Sequence, residues 1–428
     1  MTKRLANKGR QSTHVLTING RIVLKRRWWH SASEGSAAHA PRVTSEHFSD
    51  GSAPKNNFSD QVIQASPAPA DVLIDRQSQT VTDGVVEMAS RLNNDGTSFD
   101  AAAQNLFRTA QIKISGEQLR QRVIAAGHSV LAAQRSAALP TSFQAADCLA
   151  DPADSSSPTR IDTGVDGVMV PTVTDAEKVK RREAIKVKRQ RWGKKCRPLP
   201  PRRKGTDEKF KEFKVIVFYD ETGRHWHEVL TRRRWHAVGA LVRREARRLN
   251  FAAADEKIAN VDGATRIRNQ LEARPHELPL DGLGLDFYHL AENVHKSRRI
   301  VFGDSDEGRA WADKLLHTLK HEGYQPAWEQ LLAWRHPLRS PAKKAEADRL
   351  INYVLERREM INYPEFVKRG WQIGSGPTES RCKTSTFRLK GRGRRWEMSN
   401  AEAVAALTTL RDSGQWNLFW TTPANANT

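Results

Sequence analysis

The sequence predicts an α/β protein that begins with a mainly helical region and carries an all-helical segment near its C-terminal end. Between residues 159 and 288, short β-prone runs alternate with helical patterns, and several of the runs end at an Asp-Gly or another glycine turn. From residue 289 to residue 370, apolar residues recur at four-residue spacing, as in Ala347, Ile351 and Leu355. Between residues 83 and 150, helix caps and breakers dominate.

The first 82 residues are predicted to hold one hairpin and little other regular structure. Thr17 to His30 indicates a hairpin with Asn19-Gly20 at its turn. Its second arm mixes cations with tryptophans, which suits contact with nucleic acid and equally suits an edge hairpin packed on its own domain. Residues 31–70 are rich in Ser, Ala, Pro and Asn and are typical of a linker.

Two helices are predicted between residues 83 and 150. One begins after Ser98, and the next begins after Ser115 with the capping pattern Ser-x-x-Gln and ends at Gly127. The pair is compatible with a helix-turn-helix that meets DNA through Arg120 and Arg122, and equally with an ordinary pair of packed helices.

Beyond residue 159, two of the predicted strands end at an aspartate that is followed by glycine. Ile161 to Val165 is predicted as a strand that ends at Asp166-Gly167, with Val168 to Pro171 as its hairpin partner. Lys257 to Val261 is predicted as a strand that ends at Asp262-Gly263. Other predicted strands are Phe213–Tyr219, Trp226–Leu230 and Leu283–Phe287, and other predicted helices are Asp175–Trp192, Arg234–Leu249 and Asn400–Arg411.

Three carboxylates therefore occupy positions suited to metal binding. Asp166 and Asp262 each follow a predicted strand, and the glycine after each leaves room for a ligand. Glu379 falls in the opening turn of a helix that Pro377 can start. Together they could hold two Mg²⁺ or Mn²⁺ ions for phosphodiester chemistry.

The same residues also have simpler interpretations. Asp-Gly is a common turn dipeptide, and a glutamate in a first helical turn often bonds back to the cap. On spacing alone, other acidic residues compete for the same roles, namely Asp162, Asp220, Glu221 and Asp286.

The net charge and the composition indicate which class of partner the chain binds and which cellular compartment it occupies. The formal net charge is +21, which attracts polyanions, and nucleic acid is the natural one. No apolar run approaches the 18 or so residues that span a bilayer, and the start lacks the apolar core of a signal peptide, so no membrane partner is expected. Three cysteines (Cys148, Cys196 and Cys382) without a Cys-x-x-Cys pair fit a reducing cytoplasm.

Two basic runs flank the predicted acidic site. Such runs are usually solvated surface, but their position favours contact with a DNA backbone. The predicted DNA-binding residues are Lys180, Arg181 and Arg182 in the first run, and Lys383, Lys390, Arg392, Arg394 and Arg395 in the second.

Residues 159–420 resemble the ISKra-type insertion-sequence transposases, relatives of the Mutator-like DDE transposases. The segments that carry the resemblance occur in the order of that family, and RLNNDGTSFDAAAQNL upstream is also similar to it. They are TGVDGVMVPTVTDAEKVKRREA (Thr163–Ala184), NVDGATRIRNQ (Asn260–Gln270), LGLDFYHLAENVHKSRR (Leu283–Arg299), GWQIGSGPTESRCK (Gly370–Lys383) and RLKGRGRRW (Arg388–Trp396).

The resemblance implies an RNase H-like catalytic core in two parts, residues 159–288 and 371–421, separated by a helical insertion at 289–370. It implies that Asp166, Asp262 and Glu379 are the catalytic, metal-binding triad with two Mg²⁺ or Mn²⁺ ions. Asp286 to His289 resembles the (Cys/Asp)-x-x-His element of Mutator-like enzymes, which adds His289 to the catalytic candidates. A buried histidine with only a structural role is the alternative for His289.

The implied activity is cleavage at the ends of a bacterial mobile element and 3′-OH strand transfer into target DNA, by a homodimer or larger assembly on double-stranded DNA near the nucleoid. The alternatives are an RNase H-like nuclease without strand transfer and an inactive DNA-binding copy. Related chains often carry a cysteine-bearing zinc ribbon near the N-terminus. Residues 20–36 contain no cysteine, so no structural zinc is expected.

Overall fold

A five-stranded mixed sheet with helices around it forms the larger of two units into which the chain divides. The structure is a computed structural model and describes residues 5–31, 81–193, 197–272 and 277–421. The smaller unit comprises Met1–Ser129 with Trp420–Thr428, and the larger comprises Val130–Phe419. The predicted α/β class is confirmed for the larger unit. Most of the predicted linker, residues 32–70, lies outside the described residues.

The smaller unit contains a hairpin, β1 (Leu5–Thr17) and β2 (Gly20–Ser31). Thr17 pairs with Gly20, so the turn is Ile18-Asn19, one residue before the predicted position, and the first strand is longer than expected. Gly20 has a φ of +100°, a conformation that glycine adopts without strain. The hairpin itself is confirmed.

The smaller unit continues with α1 (Asp83–Asn94) and α2 (Phe99–Ala110), followed by α3 (Gly116–Arg135), whose C-terminal part lies in the larger unit. The predicted caps are confirmed, because the Ser98 hydroxyl accepts a hydrogen bond from the Ala101 amide and Ser115 and Gln118 form a reciprocal pair. The prediction that the second helix ends at Gly127 is wrong. Val130 and Leu131 beyond that glycine are buried, and their burial outweighs the roughly 1 kcal/mol cost of glycine inside a helix.

The sheet of the larger unit has the order β5-β4-β3-β6-β7. β3, β4 and β5 are antiparallel neighbours, whereas β6 and β7 continue the sheet parallel to β3. The strands are β3 (Arg160–Pro171), β4 (Phe210–Tyr219), β5 (Trp226–Thr231), β6 (Glu256–Val261) and β7 (Gly282–Leu285).

β3 is a single strand, so the predicted break at Asp166-Gly167 is wrong. Its residues pair with β4 without interruption from Asp162 opposite Tyr219 to Pro171 opposite Phe210. This continuous ladder outweighs the local turn preference of Asp-Gly. Asp166 therefore lies in the middle of a strand, while Asp262 directly follows β6 as predicted.

Helices cover both faces of this sheet. The larger unit contains the basic helix α4 (Asp175–Arg191), α5 (Trp235–Arg248) and α6 (Thr265–Leu271). An all-helical segment follows with α7 (Phe287–Phe302), α8 (Asp306–His321), α9 (Tyr324–Arg335), α10 (Pro341–Glu356) and α11 (Tyr363–Lys368). The last helices are α12 (Gly376–Thr386), α13 (Met398–Asp412) and α14 (Trp416–Thr421), of which α14 crosses into the smaller unit.

The two faces of the sheet differ in chemistry. Ile161 and Val165 on one face of β3 belong to the apolar core that also contains Val238 and Val242 of α5. Strand alternation places Asp162 and Asp166 on the opposite face. In the parts of the chain that the structure describes, no helix is both long and apolar enough to cross a membrane.

Candidate active site

Three aspartates lie on or directly after three neighbouring strands: Asp166 lies within β3, and Asp262 and Asp286 directly follow β6 and β7. β3 and β6 pair in parallel as far as Thr163 opposite Ala259, and Asp166 and Asp262 each lie three residues further along their chains. Val261 pairs with Leu285, and the next position in that register places Asp262 beside Asp286. The amide of Asp286 donates to the Val261 carbonyl at 2.8 Å, which continues the ladder to this point. Asp166, Asp262 and Asp286 on these three neighbouring strands are called the aspartate row below.

Helix α12 brings Glu379 to this row because it packs closely on β3. A Cβ atom on Gly164 would overlap the Thr378 side chain, so only glycine at 164 allows the helix to approach this closely. Cys382, one turn after Glu379, is buried, and its thiol lies close enough to the Asp166 carboxylate to lower the pKa of that carboxyl. Glu379 itself is half exposed, at 50% of its side-chain surface, and thus remains open to a ligand.

Asp286, His289 and Glu379 form a group whose ligand atoms all lie within 4.8 Å of one another. His289 Nδ1 is 3.6 Å from Asp286 Oδ1 and 3.6 Å from Glu379 Oε1. The close carboxylate of Asp286 raises the pKa of His289 to about 9, partly opposed by burial and supported by the charge of Glu379. The imidazole is therefore positively charged at neutral pH and links the two carboxylates.

Backbone amides hold Asp286 in position. Asp286 caps α7 and its Oδ1 accepts the His289 amide at 2.7 Å, while its other oxygen accepts the Ser375 amide. Burial acts to raise the pKa of this carboxyl, but the hydrogen bonds from His289 and Ser375 outweigh it and keep the pKa below its usual value. The Ser375 hydroxyl also donates to Glu379 Oε1 at 3.1 Å. Asp286 and Ser375 together fix the start of α12 next to the row.

Burial raises the pKa of Asp166, and the negative charge of Asp262 raises it further. The Gly167 amide, the Cys382 thiol and the charge of His289 act in the opposite direction. Two carboxylates that repel each other in a partly buried place are stabilised in their charged form when a cation lies between them. Asp262 keeps one oxygen engaged with the Ala264 amide at 2.8 Å.

The oxygen-rich donor set suits a hard divalent cation. Asp166, Asp262, Asp286 and Glu379 are carboxylates, the ligands that Mg²⁺ and Mn²⁺ prefer. The Asp-His-Glu group can hold a metal ion, although an ion and the proton on His289 would compete for the same place. Among the described residues, no group of zinc ligands contains a cysteine. Cys148 and Cys382 are both buried, and they lie far apart in the sequence.

The structure brings the two basic runs together. Arg395 in the loop after α12 forms an ion pair with Glu177 of α4, and Lys178 of α4 contacts Glu397 at 2.5 Å. The amide of Val173 donates to the Trp396 carbonyl at 2.9 Å, which joins the two segments through the backbone. The result is one basic surface, defined here as α4 together with residues 383–397.

The predicted DNA-binding residues divide into two groups on this surface. Arg182 donates to the Pro200 carbonyl and Arg394 to the Arg388 carbonyl, so these guanidinium groups, like that of Arg395, also support the local fold. The others are exposed and have no ion-pair partner in the described part of the chain: Lys180, Arg181, Lys383, Lys390 and Arg392.

Several residues of the site had no assigned role at the level of sequence. Ser375 and Cys382 were not candidates, and Asp286 was one of several competing acids. The spacing of Ser375, Glu379 and Cys382 at four and three residues on α12 is the signal that could have grouped them. A third addition is Arg357, whose Nε would lie 2.8 Å from a Cβ on Gly263, directly after Asp262.

Comparison of the chain with protein-family models finds no match. Comparison with curated proteins likewise finds none.

Proposed function

We propose that the larger unit is the catalytic core of a DDE transposase that cleaves the ends of a mobile DNA element and joins them to target DNA. The observation that carries the proposal is the aspartate row of Asp166, Asp262 and Asp286, with Glu379 of α12 within 4.8 Å of ligand atoms of Asp286 and His289. Carboxylates on neighbouring strands of a sheet, in a strongly basic chain, are suited to metal-assisted attack on a phosphodiester. The strand order supports an RNase H-like core, because three antiparallel strands are followed by two parallel ones.

Asp166, Asp262 and Glu379 are the proposed ligands of two Mg²⁺ or Mn²⁺ ions. Bound divalent ions supply Lewis-acid stabilisation of the charge that develops on the phosphoryl oxygens. Asp286 positions both His289 and the start of α12 through its hydrogen bonds. In this proposal the charged His289 would donate a hydrogen bond to a phosphate oxygen or to the leaving 3′ oxygen.

Double-stranded DNA is the proposed partner, for both element ends and target. The exposed cations Lys180, Arg181, Lys383, Lys390 and Arg392 would follow the phosphate backbone. Joint cutting of two ends requires two active sites, so a homodimer or larger assembly on DNA, associated with the nucleoid, belongs to the proposal.

The deciding experiment measures cleavage and joining of labelled duplexes taken from the DNA that flanks the coding gene. Wild type is compared with Glu379→Gln in Mg²⁺ and in EDTA. We expect metal-dependent joining in wild type and a loss of about 10³-fold or more in Glu379→Gln, while DNA binding survives. Glu307→Gln is the matched control, because Glu307 is an exposed glutamate in the first turn of α8.

Each other outcome has a distinct meaning. Cleavage without joining in wild type would favour a nuclease that uses the same acids. DNA binding with no metal-dependent cleavage would favour an inactive copy. Equal activity of Glu379→Gln and wild type would exclude Glu379 as a ligand.

Metal binding gives a readout that does not depend on activity. We expect wild type and Glu307→Gln to bind Mn²⁺ in calorimetric titrations. Asp262→Asn should bind it at least about 10-fold more weakly, because a carboxylate ligand is lost. Unchanged Mn²⁺ affinity in Asp262→Asn would contradict the assigned ligand set.

A further inference from the structure

The smaller unit contains a cavity of about 310 Å³ between the hairpin and the start of α3. β1 and β2 form one side of it, and the α2–α3 connection with the first turns of α3 forms the other. Its volume is in the range of small-ligand sites. The polar residues that line it are His14, Arg21, Lys113, Gln118, Gln121 and Arg122.

Among the described residues, three cations line this cavity and no carboxylate does. Arg21, Lys113 and Arg122 have no hydrogen-bond or ion-pair partner in the described part of the chain. Glu117 is the acidic residue of the adjoining helical turn, but both of its oxygens are engaged by Arg120, at 2.6 and 2.7 Å. Gln121 also donates to Glu117 at 2.9 Å. Within the described part of the chain, no acidic side chain therefore balances the positive charge of the cavity.

Uncompensated cations around a concave site attract an anion with several acceptor oxygens. Two of the three are guanidinium groups, whose planar donors match phosphate oxygens well. The apolar part of the lining, Leu16, Val81 and Ile114, offers contact for an uncharged portion next to the anion. A phosphodiester flanked by sugars has this chemistry, whereas a simple inorganic anion lacks the apolar portion.

We propose that this cavity binds a phosphodiester segment of a DNA strand through Arg21, Lys113 and Arg122. The inference rests on the proposed function only in taking DNA as the partner. It places one DNA contact of the N-terminal unit on the hairpin and on α3 at once. The hairpin and α3 would thus contact the same stretch of the DNA phosphate backbone from two sides.

The test measures binding of the full-length chain to a 30-bp duplex of mixed sequence by fluorescence anisotropy from 50 to 200 mM KCl. The Arg21→Gln, Lys113→Gln, Arg122→Gln triple variant should lose about 2 to 3 from the slope of log affinity against log salt. Its affinity should fall roughly 10- to 100-fold at the higher salt.

A matched pair of single variants separates the cavity from net charge. Arg122→Gln and Arg120→Gln remove the same charge from the same helix, but only Arg122 lines the cavity. Arg122→Gln should reduce the slope by about 1 and Arg120→Gln should leave it unchanged. Equal effects of the two variants, or a triple variant that binds like wild type, would overturn the proposal.

Two further measurements test whether the triple variant folds and whether the cavity binds a free nucleotide instead of DNA. Thermal unfolding shows whether the triple variant is folded, and if it is not, the single pair decides. A thymidine monophosphate titration distinguishes a free nucleotide from DNA. Mononucleotide binding that is lost in a triple variant with normal DNA affinity would reject the DNA strand as occupant.

The proposed function and this inference fail separately. If wild type joins DNA in a metal-dependent way and the cavity variants bind DNA normally, the cavity proposal is rejected and the transposase proposal stands. If the cavity variants lose DNA binding but wild type shows no metal-dependent cleavage, the cavity proposal stands and the transposase proposal is rejected.

Discussion

Asp162 lies four residues before Asp166 on the same face of β3, and only 1% of it is exposed. Its Oδ2 atom has no hydrogen-bond partner in the described part of the chain. Burial, with added repulsion from Glu221, raises its pKa to about 8, although Arg160 acts in the opposite direction. This carboxyl is therefore protonated at neutral pH, which separates it chemically from the charged acids of the site and argues against it as a metal ligand.

Asp162 should make the larger unit less stable as pH rises. In the unfolded chain its pKa is near the ordinary value of 3.8, so between about pH 4 and pH 8 unfolding releases a proton that the folded state keeps. We expect Asp162→Asn to exceed wild type in unfolding free energy by about 2 to 5 kcal/mol at pH 9, and by far less at pH 4. Urea unfolding at pH 4, 7 and 9 measures this, and a difference that stays constant with pH would contradict it.

Gly263 shows how closely the site is packed just after Asp262. Its φ is +76°, and a Cβ there would overlap Leu285 and lie 2.8 Å from Arg357 Nε. We expect Gly263→Ala to lower the unfolding free energy by about 2 to 4 kcal/mol. Gly303→Ala is the control, because Gly303 has a φ of +67° with open space around it and should cost only about 1 kcal/mol. Equal costs in chemical denaturation would mean that Gly263 is not sterically confined.

Among the elements, α4 differs from the other helices because none of its residues is buried. A capping box of Thr174 and Glu177 starts it, and Arg182 and Arg189 donate to carbonyls of the segment that returns to β4. Polar contacts alone give a helix little resistance to local opening. The element that carries much of the basic surface is thus also weakly held.

Hydrogen exchange should reveal this difference between elements. We expect amides of α4 to exchange at least about 100-fold faster than those of α13, most of whose residues are buried. Duplex DNA should slow exchange in α4 and leave α13 unchanged. Exchange in α4 as slow as in α13 would contradict the first expectation, and no response to DNA would contradict the proposed contact.

The element types were largely predictable from the sequence, while their ends and pairings were not. Phe213 to Tyr219 is apolar enough to indicate a strand on its own. The continuity of β3 past Asp166 depends on pairing with β4, some fifty residues later, which no local pattern contains. In the candidate site, too, single residues were predictable from the sequence and their spatial arrangement was not. Asp166 and Asp262 could each be picked out in the sequence, but what brings them near each other is the parallel pairing of β3 with β6, which no local pattern contains.

At the scale of the whole molecule, the net charge of +21 opposes contact between two copies until DNA neutralises it. We expect a monomer near 48.3 kDa without DNA and two copies on DNA that carries paired element ends. Mass photometry at low protein concentration distinguishes these states. Complexes that contain a single copy at every DNA ratio would contradict the proposed joint cutting of two ends.

The helical segment from α7 to α11 leaves and re-enters the sheet at one point. The Phe287 amide donates to the Ile373 carbonyl at 2.8 Å, and Asp286 holds the Ser375 amide. With both ends tied together, the length of the intervening chain has no geometric bearing on where Glu379 meets the aspartates. Evolution could therefore resize the part of this segment that lies beyond the first turn of α7, which carries His289, while the position of Glu379 relative to the aspartates is kept.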